Sequence, residues 1–262
     1  LLSRIRVEKY HAWFGGYVRP FLKEAGHDAS AVALKIVHSQ RVRREIVEMG
    51  KSVGLNRSDL LLAEVTGLFH DIGRFEQFRK FHTFNDSKSI DHAVKGREVL
   101  ERERILDDLS PEDRSIILDA VFYHNKLAVP LDFRGRKLTI CRLIRDADKL
   151  DILRVFDEIH QKGHGCQAAG LGLPQSGTVS EKVYEDILQE KVVNFKDVRN
   201  ATDFLVMRLS WLYDINFPYA LKKIQERGYI ERMAKMVPEG QAQKEIFHAV
   251  NEYMRNRIQV DL

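Results

Sequence analysis

Cysteine is nearly missing: Cys141 and Cys166 are the two in a chain of 262 residues. That is too few for a disulfide framework and fits a reducing, cytoplasmic setting. Long apolar runs are missing too. None reaches the roughly 18 residues of a membrane span, and the opening LLSRIRVEKYH carries no signal-peptide pattern, so a soluble protein with no membrane partner is expected. Charge of one sign is massed nowhere. The net charge is +4, with Lys and Arg interspersed among Asp and Glu, which gives nucleic-acid binding no support and leaves a small anionic substrate open. With six prolines, and strict apolar–polar alternation hard to find, long helices are favoured over strands.

What is present is a period near 3.6 residues. It predicts helices over about 2–25, 30–53, 57–72, 88–105, 112–126, 137–162, 180–191, 198–214, 217–235 and 240–258, an all-α chain. Gly54 and Gly73 stand where left-handed glycines end helices, Ser58 and Ser110 where N-caps belong, and Pro111 suits a first helical position. VPLDFRGRKL reads as a short turn or ribbon. The glycine-rich KGHGCQAAGLGLPQSGTVS, from Lys162 to Ser180, has no helical period. It predicts a core over 1–162 and a helical extension over 163–262 packed on or capping it, with the segment itself a lid or connector. Its GLGLPQSG is not read as a phosphate cradle, since no strand precedes it and no Walker lysine follows.

The chemistry gathers on the inner faces of five predicted helices. VTGLFHDIGRFEQF brings a very apolar helix to an end on His70 and Asp71, and both need partners if they are buried. His38 shares a face with Val42, Ile46, Met49 and Val53. His92 lies with Gly96 and Val99, His124 with Ile117, Ala120 and Val121, and Asp148 with Cys141, Ile144 and Val155. A lone inward histidine is usually a hydrogen-bonded core residue, but five such groups on five helices are explained together by one metal centre. Imidazole nitrogen and carboxylate oxygen suit Zn, Fe, Mn, Ni or Co. Gly67, Gly96, Ala63 and Ala147 would let the helix backbones approach.

In KIVHSQRV, LFHDIGRF and IRDADKLDIL, the order His, then His-Asp, then Asp resembles the HD-domain superfamily of metal-dependent phosphohydrolases, over about 30–155. The resemblance implies that His38, His70, Asp71 and Asp148 bind a first divalent ion. IDHAVKGREVL and AVFYHNKLAVP resemble the segments that add His92 and His124 in the two-metal subset, where Asp71 would bridge. The aDxxD pattern favours Asp148 over Asp146. Asn125 stands where cyclic-dinucleotide phosphodiesterases of the HD-GYP type carry a second histidine, and their GYP signature is missing. HDIGRFEQFRKFHTFNDSKSIDHAVKG is similar to a bacterial HD subgroup of largely unassigned function. AVFYHNK and DADKLD are similar to the helical hydrolases of diadenosine tetraphosphate.

The expected activity is hydrolysis of a phosphate ester or anhydride, in a nucleotide or another small phosphorylated molecule, by metal-activated water. Asp71, Arg74 and Lys88 are the expected catalytic residues. Arg74, Arg79, Lys80, Lys88, Lys126 and Lys149 are the cations expected to meet phosphate, with His82 beside them. The alternatives are a di-iron oxygenase on the same scaffold and a non-catalytic nucleotide-binding module. Self-association is left open. Asp214 or Asn216 is expected to cap the helix containing Pro218, with Asp214 otherwise reaching the pocket, and His160 with His164 is read as a surface pair.

Overall fold

The computed structural model describes residues 2–161, 173–175 and 177–259. Among these there is no strand, so the fold is all-α, and no helix is long and apolar enough to cross a membrane. The chain divides into two compact units, Leu1–Asp148 and Lys149–Leu262. The expected boundary at 162/163 is thus displaced to a point inside a continuous helix. A change of composition marks where a helix stops, which need not be where its packing partners change. Most of the glycine-rich segment read as a lid or connector, together with Gly163, His164 and Cys166, lies outside the described residues.

The first unit comprises α1 (Arg4–Glu24), α2 (Ala29–Ser52), α3 (Arg57–Phe69), α4 (Gly73–Phe81), α5 (His92–Arg102), α6 (Pro111–Tyr123) and the start of α7 (Gly135–Gln161). In VPLDFRGRKL, residues 129–134 form the turn that leads into α7 and GRKL is its first turn. The central post is α3, buried on every side from Leu61 to Phe69. It lies so close to α2 that a Cβ on Gly67 would come within 2.8 Å of the Arg43 Cα. Around its tip, Phe69 meets Tyr10, Trp13 and Phe14 of α1 edge-on or tilted, and Phe14 and Phe21 meet Phe75 of α4. Arg136 at the start of α7 bonds Asp59, Glu112 and Asp113, tying α7 to α3 and α6.

Two local expectations are corrected. Asn56, and not Ser58, caps α3 by accepting from Asp59 N at 3.0 Å. Gly73 ends no helix: it opens α4, which the sequence reading missed, and its φ is not positive. A missing side chain is needed there for another reason. A Cβ on Gly73 would lie 2.2 Å from the His92 carbonyl oxygen and 2.5 Å from Gly96 N, because α5 crosses at that point. Ser110 does cap α6, with Pro111 at its first turn, and Gly54 follows α2 at φ 73°.

Glu64, facing inward on α3, accepts from Arg4 at 2.5 Å and Arg43 at 2.7 Å, with His11 at 3.2 Å. Burial opposes its charge, but the two arginines win and hold its pKa below the ordinary 4.5. A depressed folded-state pKa means that this stabilisation is complete above about pH 4.5 and fades as pH falls through the folded value. Glu64→Gln is therefore expected to cost about 2 kcal/mol at pH 7. In urea melts the gap from the wild type should narrow steadily below pH 4.5, and a gap independent of pH would contradict this account.

The second unit comprises the remainder of α7, α8 (Glu181–Leu188), α9 (Ala201–Ser210), α10 (Pro218–Glu226), α11 (Tyr229–Ala234) and α12 (Gln241–Gln259). The helix expected over 198–214 ends at Ser210 and tightens into a 3-10 turn through Asp214. The one expected over 217–235 breaks at Gly228, whose φ of 63° separates α10 from α11. Asp214 does not cap α10: Phe217 is the N-cap and provides no side-chain bond. Its carboxylate lies 2.7 Å from Lys149 Nζ.

Candidate metal centre

Two apolar helices end in the same way. His70 follows α3 and His124 follows α6, each in helical conformation. Each turns Nδ1 back onto the carbonyl three residues earlier, Gly67 O at 2.9 Å and Val121 O at 2.7 Å. Those carbonyls belong to the last turn and have no helical partner of their own. A carbonyl can only accept, so Nδ1 carries a proton in both rings and Nε2 is the nitrogen turned toward the site. His92, the first residue of α5, reaches that state by another route, since its Nδ1 lies 2.6 Å from Asp86 Oδ2. His38 sits in the apolar stripe of α2 with Val42, Ile46 and Met49, while Val53 turns out to be exposed.

These rings face one another in pairs. His92 Nε2 and His124 Nε2 are 3.0 Å apart, and His38 Nε2 and His70 Nε2 are 3.2 Å apart. Asp71 stands between the pairs with one oxygen toward each. Its Oδ2 is 3.5 Å from His38 Nε2 and 3.8 Å from His70 Nε2, and its Oδ1 is 3.3 Å from His92 Nε2 and 3.8 Å from His124 Nε2. Asp148 on α7 adds Oδ1 at 3.0 Å from His38 Nε2 and 3.6 Å from His70 Nε2.

The donor set fits a cation. Around His92 and His124, two buried imidazole Nε2 atoms and a carboxylate oxygen converge, the nitrogen and oxygen donor set that a cation among them would satisfy. Burial foremost, and then Arg74, lowers the His92 pKa to about 4, so the ring is neutral at pH 7. Burial works against the charge of Asp71, yet Lys35 first, then His70 and Arg74, hold its pKa well below the usual carboxylate value. For Asp148, bonds with His38 and His70 likewise prevail over burial. Ligand bonds near 2.1 Å put tetrahedral ligand atoms about 3.4 Å apart, and the separations here run from 3.0 to 3.8 Å. Two groups, His38–His70–Asp71 and Asp71–His92–His124, can therefore each hold a metal ion.

The cations fare differently. Arg74 faces inward: Nη1 donates to Phe84 O at 2.6 Å, Asp86 Oδ1 at 2.7 Å and Gln77 Oε1 at 3.0 Å, and Nε to Asp71 Oδ1 at 3.4 Å. A guanidinium so engaged is a strut for the site, tying Asp71 to the loop that carries Asp86. Arg79 lies over the Phe21 ring with Glu24 at 3.9 Å, and Lys80 over Phe81. Both line a separate cleft of about 580 Å³ that includes Glu76, Ile90 and Lys95. Lys126 pairs with Asp91, and Lys149 with Asp214. Lys88 and His82 are exposed. His160 belongs to no metal-holding group among the described residues.

Three residues at the site escaped the sequence reading. Lys35, one turn before His38 on α2, places Nζ 2.8 Å from Asp71 Oδ2 and remains partly exposed. Its i, i+3 spacing from His38 was the available signal. Asp86 and Gln77 bond each other and Arg74. Asp86 lies in a loop without periodicity, so nothing in the sequence singled it out.

Comparison with curated proteins and with solved structures gives no match. A family model does match: the HD domain, over residues 36–153, a span that begins just before His38, ends just after Asp148 and so contains all six histidine and aspartate candidates. Residues 36–153 of this chain, less than half of its length, are therefore similar to the HD domain family, whose superfamily is typically one of metal-dependent hydrolases.

Proposed function

We propose that this protein is a metal-dependent phosphohydrolase that cleaves a phosphate ester or anhydride of a nucleotide or another small phosphorylated molecule. The observation that carries the reading is the buried meeting of four imidazole Nε2 atoms around a carboxylate with one oxygen toward each pair. His38, His70, Asp71 and Asp148 would hold one divalent ion, and His92 and His124 a second, shared through Asp71. Such ions supply hydroxide from water near neutral pH and offset charge on a phosphoryl group. The chain itself provides orientation: the Nδ1 bonds of His70, His92 and His124 fix each ring. Arg74 and Lys35 keep Asp71 ionised.

Lys35 joins Arg74 as a cation facing the substrate, because its ammonium is partly exposed at Asp71 and holds three donors that can turn toward a phosphoryl oxygen. Lys35→Met is expected to lower kcat/KM about 10- to 100-fold, as for the loss of one charge-assisted contact, with metal content unchanged. Equal kcat/KM in the variant would remove Lys35 from substrate binding.

The test of the function is elemental analysis of the purified protein, followed by a panel of phosphomonoesters, cyclic nucleotides and dinucleoside polyphosphates with Mn, Fe, Zn, Ni or Co added. Release of phosphate or nucleoside monophosphate from a member is the expected result. A metal-loaded protein inert across the panel would overturn the reading, and oxygen consumption by an iron-loaded form would point to the oxygenase alternative.

A further inference from the structure

The loop between α4 and α5 carries one carboxylate with four polar partners. Asp86 Oδ2 lies 2.6 Å from His92 Nδ1 and accepts from Asn125 Nδ2 at 3.3 Å, while Oδ1 accepts from Arg74 Nη1 at 2.7 Å and Gln77 Nε2 at 2.8 Å. Gln77 is fully buried and donates also to Ser89 Oγ at 2.8 Å and to Ile90 O at 2.9 Å, pinning the loop just after Asp86. The contacts close a ring. Asp86 binds Arg74, Arg74 binds Asp71, and Asp71 Oδ1 faces His92 Nε2 at 3.3 Å, whose other nitrogen returns to Asp86.

We propose that Asp86 is a positioning residue for the second ion: it fixes the His92 ring through Nδ1 and holds Arg74 against Asp71, so that Nε2 of His92 and Oδ1 of Asp71 face the same point. This rests on the two-ion reading of the site. A carboxylate at the far nitrogen of a ligating histidine sets the tautomer and the ring's angle, and loss of such a partner weakens metal binding about 10- to 100-fold. Asp86 serves His92 alone among the four histidines, so the consequence falls on one group. His38, His70 and Asp148 make no bond with it and take their orientation from elsewhere.

Asp86, Asp91 and His92 also lie close enough together to suggest an ion among themselves. That arrangement is already neutralised by donors. Lys126 bonds Asp91, Asn125 donates to Asp91 at 3.0 Å as well as to Asp86, and Asp91 caps α5 by accepting from Ala93 N at 2.9 Å. The Asn125 that departs from the His-pair pattern thus acts as a latch between α6 and this loop.

The test is equilibrium dialysis of the full chain against Mn(II), with counts of ions per chain and the electron paramagnetic resonance signal of a coupled pair. Wild type is expected to bind two ions with a coupled signal. Asp86→Ala should bind the first unchanged, bind the second about 10- to 100-fold more weakly and lose the coupled signal at wild-type saturation. Asp86→Glu, which keeps the acceptor, should recover part of the second ion, as a merely steric role would not. Circular dichroism melts without metal should show both variants folded, as expected for a partly exposed loop residue. Two ions in Asp86→Ala with an unchanged second affinity would overturn the proposal while leaving the two-ion reading intact. A wild type that binds fewer than two ions would instead sink that reading.

Discussion

Asp71→Asn is expected to bind neither ion firmly and to lose at least about three orders of magnitude in kcat/KM, roughly 4 kcal/mol of transition-state stabilisation. The reason is the placement of its carboxylate. One oxygen faces His38 and His70, the other faces His92 and His124, so under the proposed two-ion reading a single change would remove a negative ligand from both groups. Asparagine keeps the shape and exchanges one acceptor oxygen for an amide donor. That donor can bond Nε2 of the facing His92, whose ring is neutral at pH 7, so the metal-free variant is expected to be at least as stable as the metal-free wild type.

This sets up a measurement that separates metal binding from folding. An ion at 100 times its Kd stabilises a folded protein by about 2.7 kcal/mol, which for a chain of this size raises Tm by about 5–10 °C. Wild type should show that rise on addition of Mn(II), and Asp71→Asn should show almost none while melting, metal-free, at or above the wild-type temperature. If the variant kept the full rise and its phosphatase activity, Asp71 would be neither a bridge nor a ligand.

How far the site was legible depends on what sort of signal each residue leaves. His38, His92, His124 and Asp148 interrupt apolar stripes, and periodicity alone puts each on an inward face; His70 and Asp71 end the most apolar helix. What periodicity cannot report is the partner of a surface-compatible cation. Arg74, Arg79, Lys126 and Lys149 look alike in the sequence, yet one is a strut at Asp71, one lies over Phe21, and two are paired with Asp91 and Asp214. Lys35 and Asp86 show the converse. Their importance comes from contacts with Asp71 and His92 formed only when α2 and the α4–α5 loop meet the tip of α3. The all-α fold was legible throughout, but α4 was missed because a glycine that ends a helix and one that admits a crossing helix are the same letter.

Gly73 therefore provides the sharpest test of how packing builds the site. A Cβ added there would sit 2.2 Å from the His92 carbonyl oxygen and 2.5 Å from Gly96 N, both backbone atoms of α5. Neither can rotate aside, so α4 and α5 must separate by about 1 Å to reach ordinary contact, and overpacking of that kind costs about 3 kcal/mol. Gly73→Ala should lower Tm by about 6–12 °C. The same displacement carries His92 away from His124, now 3.0 Å from it, so the second ion should be lost before the first. Gly96→Ala is the control on the same interface. Its Cβ would meet Val121 Cγ1 at 3.1 Å, the end of a side chain, and its next contact is at 3.5 Å, so a smaller fall in Tm and both ions are expected. Gly16→Ala, in α1 with open space around it, should be neutral or stabilising by up to about 1 kcal/mol. The order of the three melting temperatures, Gly16→Ala highest and Gly73→Ala lowest, follows from which atoms each new methyl group meets. Gly73→Ala melting with the wild type and binding two ions would show that the α4–α5 crossing does not set the position of His92.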